Sequence, residues 1–265
     1  MATPKHGKVH RLYYDYIPVS AFANSDVLTI TLDAAEYTAF EDAAKVFKAG
    51  KYSGTSNFAG FLDVADGGFG DVQHADLADG NHWIGRLWNG TGIGSLAYET
   101  VEVSTGNSIA ADVANVVAMT WNGQGAARLG RGCQLTAGAA SITATGAQTG
   151  VNYGSVWQTV GAASTQVVTA RVVAVSGTGS ISIQLEESTD DGSGDAYAQV
   201  TGWTSTEVDP GTNVNIGTAD TLTFTGIGAA KMTRTGAIEA WQRVNVTAYS
   251  TFTSVTLLVT TVTLA

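Results

Sequence analysis

Val27-Leu28-Thr29-Ile30-Thr31-Leu32-Asp33 alternates without a break. Leu28, Ile30 and Leu32 share one face, and Thr29, Thr31 and Asp33 share the other, which is the period-two pattern of a half-buried strand. A second extended run, Tyr52 to Leu62, is rich in Phe, Ser and Thr. Between them, residues 34–51 mix Tyr37, Phe40, Val46 and Phe47 with Glu36, Glu41, Asp42, Lys45, Lys48 and Lys51. That mixture is too hydrophobic for a solvated loop and too charged for a core. Aromatic side chains carried out on a sheet connection call for a partner surface. The stretch therefore directs attention to assembly rather than to chemistry.

The connection also carries a local helix signal. Thr38-Ala39-Phe40-Glu41 has capping-box spacing. Phe40, Ala43, Ala44 and Phe47 follow at i, i+3, i+4 and i+7, with Gly50 placed as a stop. A short amphipathic helix is expected there, and Val72, Ala75 and Leu77 hint at another in the acidic run Asp63–Asp79.

Strands are expected on both sides of this region: Val9–Val19, Trp83–Trp88, Gly94–Ser104, Val113–Trp121 ending in an Asn122-Gly123 turn, and Arg128–Leu135. From Gly132 to Ala170 no residue is charged, a composition break that reads as a linker merging into β structure. Further strands are expected at Gln166–Val175, Ser180–Glu186, Ala196–Val200, Thr221–Phe224, Ala237–Tyr249 and Thr253–Thr263. Many short strands between Gly and Asp clusters indicate an all-β chain of sandwich or barrel type. The break places one domain over 1–135 and a second β-sandwich over 136–265.

Bulk properties narrow the function. The chain has 265 residues, enough for a large core, with 44% hydrophobic and only 14% charged residues. So few charges suit a surface partly covered by other copies of the chain. A net charge of −10 argues against nucleic-acid binding through phosphate contacts. Cys133 is the only cysteine, so no intrachain disulfide exists and a reducing compartment is expected. Met1–Lys8 lacks an apolar core, so no secretory leader is expected, and no apolar run approaches the ~20 residues that span a bilayer. No membrane insertion is expected.

No catalytic, cofactor or metal site is expected. His6, His10, His74 and His82 lack metal-ligand spacing. Asp190-Asp191-Gly192-Ser193-Gly194-Asp195 has Ala198 where an EF-hand needs its bidentate Glu, so it reads as a hairpin turn. Glu186 and Glu187 are adjacent on a strand and point to opposite faces, which rules out an acid–base pair. The glycine-flanked Cys133 reads as a buried, inert thiol. Trp83, Trp88, Trp121, Trp157, Trp203 and Trp241 read as core or interface residues, with a sugar platform as the alternative.

The order of elements has a parallel. His6-Gly7-Lys8, then Ala21-Phe22-Ala23-Asn24-Ser25, then Asp26-Val27 through Tyr37-Thr38-Ala39-Phe40 come first. A charged segment, Tyr52–Leu62 closing at Asp63, an acidic helix, and Asp112–Val117 leading to Arg128–Cys133 follow. Over residues 5–135 this resembles the tail tube (major tail) proteins of long-tailed bacteriophages of actinobacteria. Residues 136–265 resemble the β-rich extension that many of these carry.

The resemblance implies a β-sandwich tube domain with a flanking helix. Copies would join into hexameric rings that stack into a tube, with the second domain projecting outward. It implies a stacking segment with Tyr37, Phe40, Glu41, Lys45, Phe47 and Lys48, and lumen or rim acids at Asp33, Glu36 and Asp63. It implies assembly in the host cytoplasm into a virion tail, beside tape measure, tail terminator and distal tail proteins. DNA would pass through the lumen unbound. The competing expectation is a carbohydrate-binding or adhesive β-sandwich, with glycan contact by residues 136–265.

Overall fold

The structure, a computed structural model, describes residues 10–36, 47–62, 69–70, 81–88, 92–111, 117–126, 129–137, 141–154, 164–209, 213–217 and 220–264. The fold is all-β, as expected. Contacts divide the chain into two compact units: Met1–Val19, Ile84–Glu99 and Gly130–Ala265 form one, and Ser20–Trp83 with Thr100–Leu129 form the other. This division differs from a boundary at 135/136. Strands from both sequence halves share the first unit.

The first unit is a sandwich. Its first sheet runs β15 (Ser205–Asp209), β18 (Gly228–Gly236), β12 (Ser164–Ser176), β20 (Ser254–Leu264), β8 (Gly130–Gln134), the start of β6 (Leu96–Ala110), β5 (His82–Leu87), β1 (Arg11–Tyr14) and β2 (Ile17–Pro18). Its second sheet runs β10 (Gly146–Ala147), β19 (Trp241–Ser250), β13 (Ser180–Ser188), β17 (Leu222–Phe224) and β16 (Val214–Ile216). Three two-residue strands complete the edges: β9 (Ser141–Ile142) on β20, β11 (Val151–Asn152) on β19 and β14 (Ala198–Gln199) on β13. Between the sheets, Val168, Ala170, Val172, Met232, Leu257 and Val259 meet Ile181, Ile183, Leu185, Val244, Val246 and Phe224 in one buried cluster. Alternation produces this: in β13 Ile181, Ile183 and Leu185 face in while Ser182 and Gln184 face out.

A buried ion pair ties the two sequence halves together. Arg171 on β12 donates from Nη1 and Nη2 to the two Glu99 oxygens, each at 2.8 Å, and from Nε to the Asp15 carbonyl at 2.5 Å. Thr260 Oγ1 adds a bond to Glu99 at 2.6 Å. Burial alone would lower the Arg171 pKa, but the Glu99 carboxylate beside it holds it above its ordinary value. The bidentate geometry satisfies a fully buried guanidinium that would otherwise be costly.

Across the two sheets, Arg234 bonds Glu187 at 2.6 Å and Gln166 at 2.7 Å, and Gln166 donates to Gln242 at 3.0 Å. Glu186 binds Arg243 instead, at 2.7 Å, so the two adjacent glutamates do point apart. Cys133 is fully buried, and burial pushes its thiol up to about 12.

Several boundaries differ from the sequence reading. Val9–Val19 is two short strands around a turn at Asp15, whose φ is 50°. Gly228–Gly236 is a full strand that sequence reasoning missed. Asn122-Gly123 is no turn but the middle of β7 (Ala118–Gly125). The helix expected over Thr38–Gly50 is corrected at its end: Phe47–Gly50 begin β4 (Phe47–Phe61), where Phe47 pairs with Glu36. Its Thr38–Val46 part lies outside the described residues. Of the acidic run, Phe69 and Gly70 have helical backbone.

Candidate assembly surface

The second unit is built on four antiparallel strands in the order β3 (Ala23–Glu36), β4, β7, β6, with β6 contributing Thr100–Ala110. The register runs Asp26↔Phe58↔Trp121↔Asn107 across all four strands. Bulges at Asn24 and Asp33 flank a regular stretch of β3, and another sits at Thr105 in β6.

The strict alternation gives the sheet two unlike faces. On one, Phe58 and Trp121 stack at 4.9 Å between ring centroids, Phe69 lies 5.4 Å from Phe58, and Phe22 lies 5.5 Å from Phe69. Met119 and Trp121 are buried there. The same face holds the buried carboxylate of Glu102, which accepts from Ser56 Oγ at 2.6 Å and from Thr100 Oγ1. Gly123 is required at this spot. A Cβ would meet the Trp121 ring at 2.1 Å and Glu102 Oε2 at 2.6 Å.

The other face is open. Thr29, Thr55, Asn57, Thr105, Asn122 and Gln124 help line a shallow groove of about 410 Å³. Amide side chains link the strands across it: Asn57 Nδ2 donates to Asn122 Oδ1 at 2.7 Å, Asn122 Nδ2 to the Gly106 carbonyl at 3.2 Å, and Gln124 Nε2 to the Gly54 carbonyl at 2.8 Å.

The two edges of this sheet are unpaired among the described residues. β3 pairs only with β4, and beyond Glu99 β6 pairs only with β7. Among the described residues of the unit, the exposed large hydrophobics are Val27 (50%), Ile30 (46%), Val103 (37%), Ile109 (62%) and Phe61. The first four all lie on β3 or β6. Ile30 and Ile109 belong to the covered face, and Val27 and Val103 to the open face. Each edge thus shows one bare apolar residue per face.

The residues singled out from the sequence fare unevenly. Phe47 and Lys48 lie in β4, opposite Glu36 and Ala35. Asp33 lies at the β3 bulge, and Glu36 is exposed at its end. Tyr37, Phe40, Glu41, Lys45 and Asp63 lie outside the described residues. The β6 edge was missed, although Val103 and Ile109 were legible as apolar residues in a polar run. The tryptophans are engaged individually: Trp83 and Trp121 are buried, Trp88 stacks on His10 at 4.4 Å, and Trp203 lies under the Arg234 guanidinium. Trp157 is outside the described residues. Among the described residues no group of metal-ligating side chains forms.

The Asp190 loop is self-contained. Asp190 accepts from the amides of Ser193, Gly194 and Asp195, at 3.0, 2.6 and 3.1 Å. These bonds, that from Asp195 foremost, hold its pKa below the ordinary value. Tyr197 donates to Asp191 at 2.7 Å with the Arg243 guanidinium 3.8 Å over its ring.

No protein-family model and no curated protein sequence matches the chain. The structure is similar to a chain of the virion of a native gene transfer agent particle, with a TM-score of 0.40 and 13% identity, covering 48% of this chain and 97% of that one. It is similar to a chain of the SPP1 tail tube, with a TM-score of 0.39 and 10% identity, covering 47% and 77%. It is also similar to the SPP1 Dit protein, described as a hub adsorption apparatus of phages infecting Gram-positive bacteria. There the TM-score is 0.33 and the identity 11%, covering 97% of this chain and 100% of that one.

Proposed function

We propose that this chain is a structural protein of a virion tail, whose copies join edge to edge into closed rings that stack as a tube for DNA delivery. One observation carries the reading: the four-stranded sheet ends on both sides in a long unpaired strand dressed with exposed apolar side chains. Such edges are aggregation hazards unless a partner covers them. Four strands is an even number, so β3 and β6 run in opposite directions. A neighbour related by rotation about an axis along the strands therefore offers its β3 to this copy's β6 in the antiparallel sense. That contact is heterologous, and it closes into a ring at a suitable rotation.

Ile30 and Ile109 then meet on one side of the seam, and Val27 and Val103 on the other. The sequence resemblance to tail tube proteins supports the same reading and supplies the hexameric count. Stacking through residues 37–48, rim acids at Asp33, Glu36 and Asp63, an outward role for residues 136–265, and assembly with other tail proteins in the host cytoplasm belong to the proposal. Negative-stain microscopy of the purified chain over a concentration series tests it. Rings or tubes are expected, and dispersed single copies at high concentration refute it.

A further inference from the structure

We propose that the open face of the four-stranded sheet is the wall of the bore, and that this wall is uncharged and lined by hydroxyls and amides where it touches passing duplex DNA. The inference rests on the ring reading above. When an antiparallel sheet closes on itself, one face turns inward. The covered face cannot be that one, because Phe58, Trp121 and Phe69 form the hydrophobic core of the unit on it. The remaining face carries Thr29, Thr31, Thr55, Asn57, Asn122 and Gln124.

Over Ser25–Thr31, Gly54–Phe61, Val103–Ala110 and Ala118–Gly125, this face holds no Asp, Glu, Lys or Arg. The single carboxylate within those spans, Asp26, is in register with Phe58 on the opposite face, as Glu102 is just outside them.

The occupant follows from what is excluded. The chain has 13 Lys and Arg, and none stands on this stretch of the face. A cation there would pair with phosphates and release counterions, the term that makes nucleic acid stick. A polypeptide passenger imposes no such exclusion. The acids are absent as well, so the wall neither holds nor repels a polyanion. Its amides are already engaged with each other and with the backbone, which leaves few strong donors for phosphate oxygens.

Two variants test this. In tubes of Thr55→Cys protein, a small maleimide should label residue 55, whereas a maleimide coupled to a bulky carrier protein should not. Ser193→Cys, in an exposed loop, should react with both. Cys133 is buried and silent. Carrier labelling of the Thr55→Cys thiol in tubes at the rate seen in dispersed protein overturns the orientation.

In tubes of Thr55→Lys protein, short duplex DNA should co-sediment at 50 mM salt and lose about a thousandfold in affinity by 200 mM, if about six phosphates are neutralised. Wild-type tubes should retain none. DNA held by wild-type tubes, or none held by Thr55→Lys tubes, overturns the neutral wall. Wild-type protein that forms no tubes defeats the ring reading itself, a separate outcome.

Discussion

Ile109→Lys is the sharpest perturbation of the seam. Ile109 stands on the β6 edge with 62% of its surface exposed. Full burial of such a side chain is worth about 1.5–3 kcal/mol, so covering its exposed part is worth about 1–2 kcal/mol per seam. Lysine removes that gain and sets a charge against an apolar patch, which adds to the loss. A change of 1–2 kcal/mol is a factor of about 5–30 in an equilibrium constant. The critical concentration for sedimentable assemblies should rise by at least that factor. The folded monomer should not suffer, because the side chain faces solvent in the single copy. Ile227→Lys, at another exposed apolar site (38%) outside this sheet, serves as the control and should leave the critical concentration unchanged. Equal critical concentrations for Ile109→Lys and wild type, with both proteins folded by circular dichroism, would refute the edge-to-edge argument.

Other outcomes follow from particular contacts. Replacing residues 37–46 by a short turn, which spares the paired ends of β3 and β4, should leave soluble folded protein and closed rings but stop their stacking, as seen by electron microscopy. Glu99→Ala strips a buried guanidinium of its partner and should lower unfolding free energy by roughly 3–5 kcal/mol in a denaturant titration. Cys133, with its thiol pushed up to about 12, should resist alkylation at pH 8 in the native chain and react once the chain is unfolded. The depressed pKa of Asp190 means that loop order is present above the ordinary carboxylate pKa of 3.8 and is lost as pH falls through the lower folded value. Hydrogen exchange at Ser193, Gly194 and Asp195 should accelerate over that range, and Asp190→Ala should show the fast rates at neutral pH.

The parts of the fold legible in the sequence were those where one face of a strand is buried. Val27–Asp33 alternates because Leu28 lies on the side of the Phe58 core, and β13 alternates for the same reason. Legibility failed where a tertiary contact overrode local preference. Asn122-Gly123 has the chemistry of a hairpin turn, yet it continues a strand because only glycine fits beside Trp121 and Glu102. Thr105–Ala110 looks like loop, and pairing with β7 makes it strand. Phe47 completes a helical apolar spacing, but its backbone is drawn into the ladder opposite Glu36. The division of the chain was hidden for a different reason. Composition changes at Gly132, whereas the Arg171–Glu99 pair and the β20–β8 ladder join residues from both sides of that change.

The candidate site was half visible. Aromatic and charged residues in 34–51 pointed to assembly. The second edge, on β6, required the topology, since nothing local marks a strand as unpaired.

Amide hydrogen exchange, compared between dispersed and sedimented protein, bears most directly on the central claim. The account predicts that amides of Ser25–Leu32 and Thr100–Ala110 become strongly protected on assembly, while β4 and β7, already paired on both sides, change little. Assemblies in which these two edges still exchange as fast as in the free chain would contradict it.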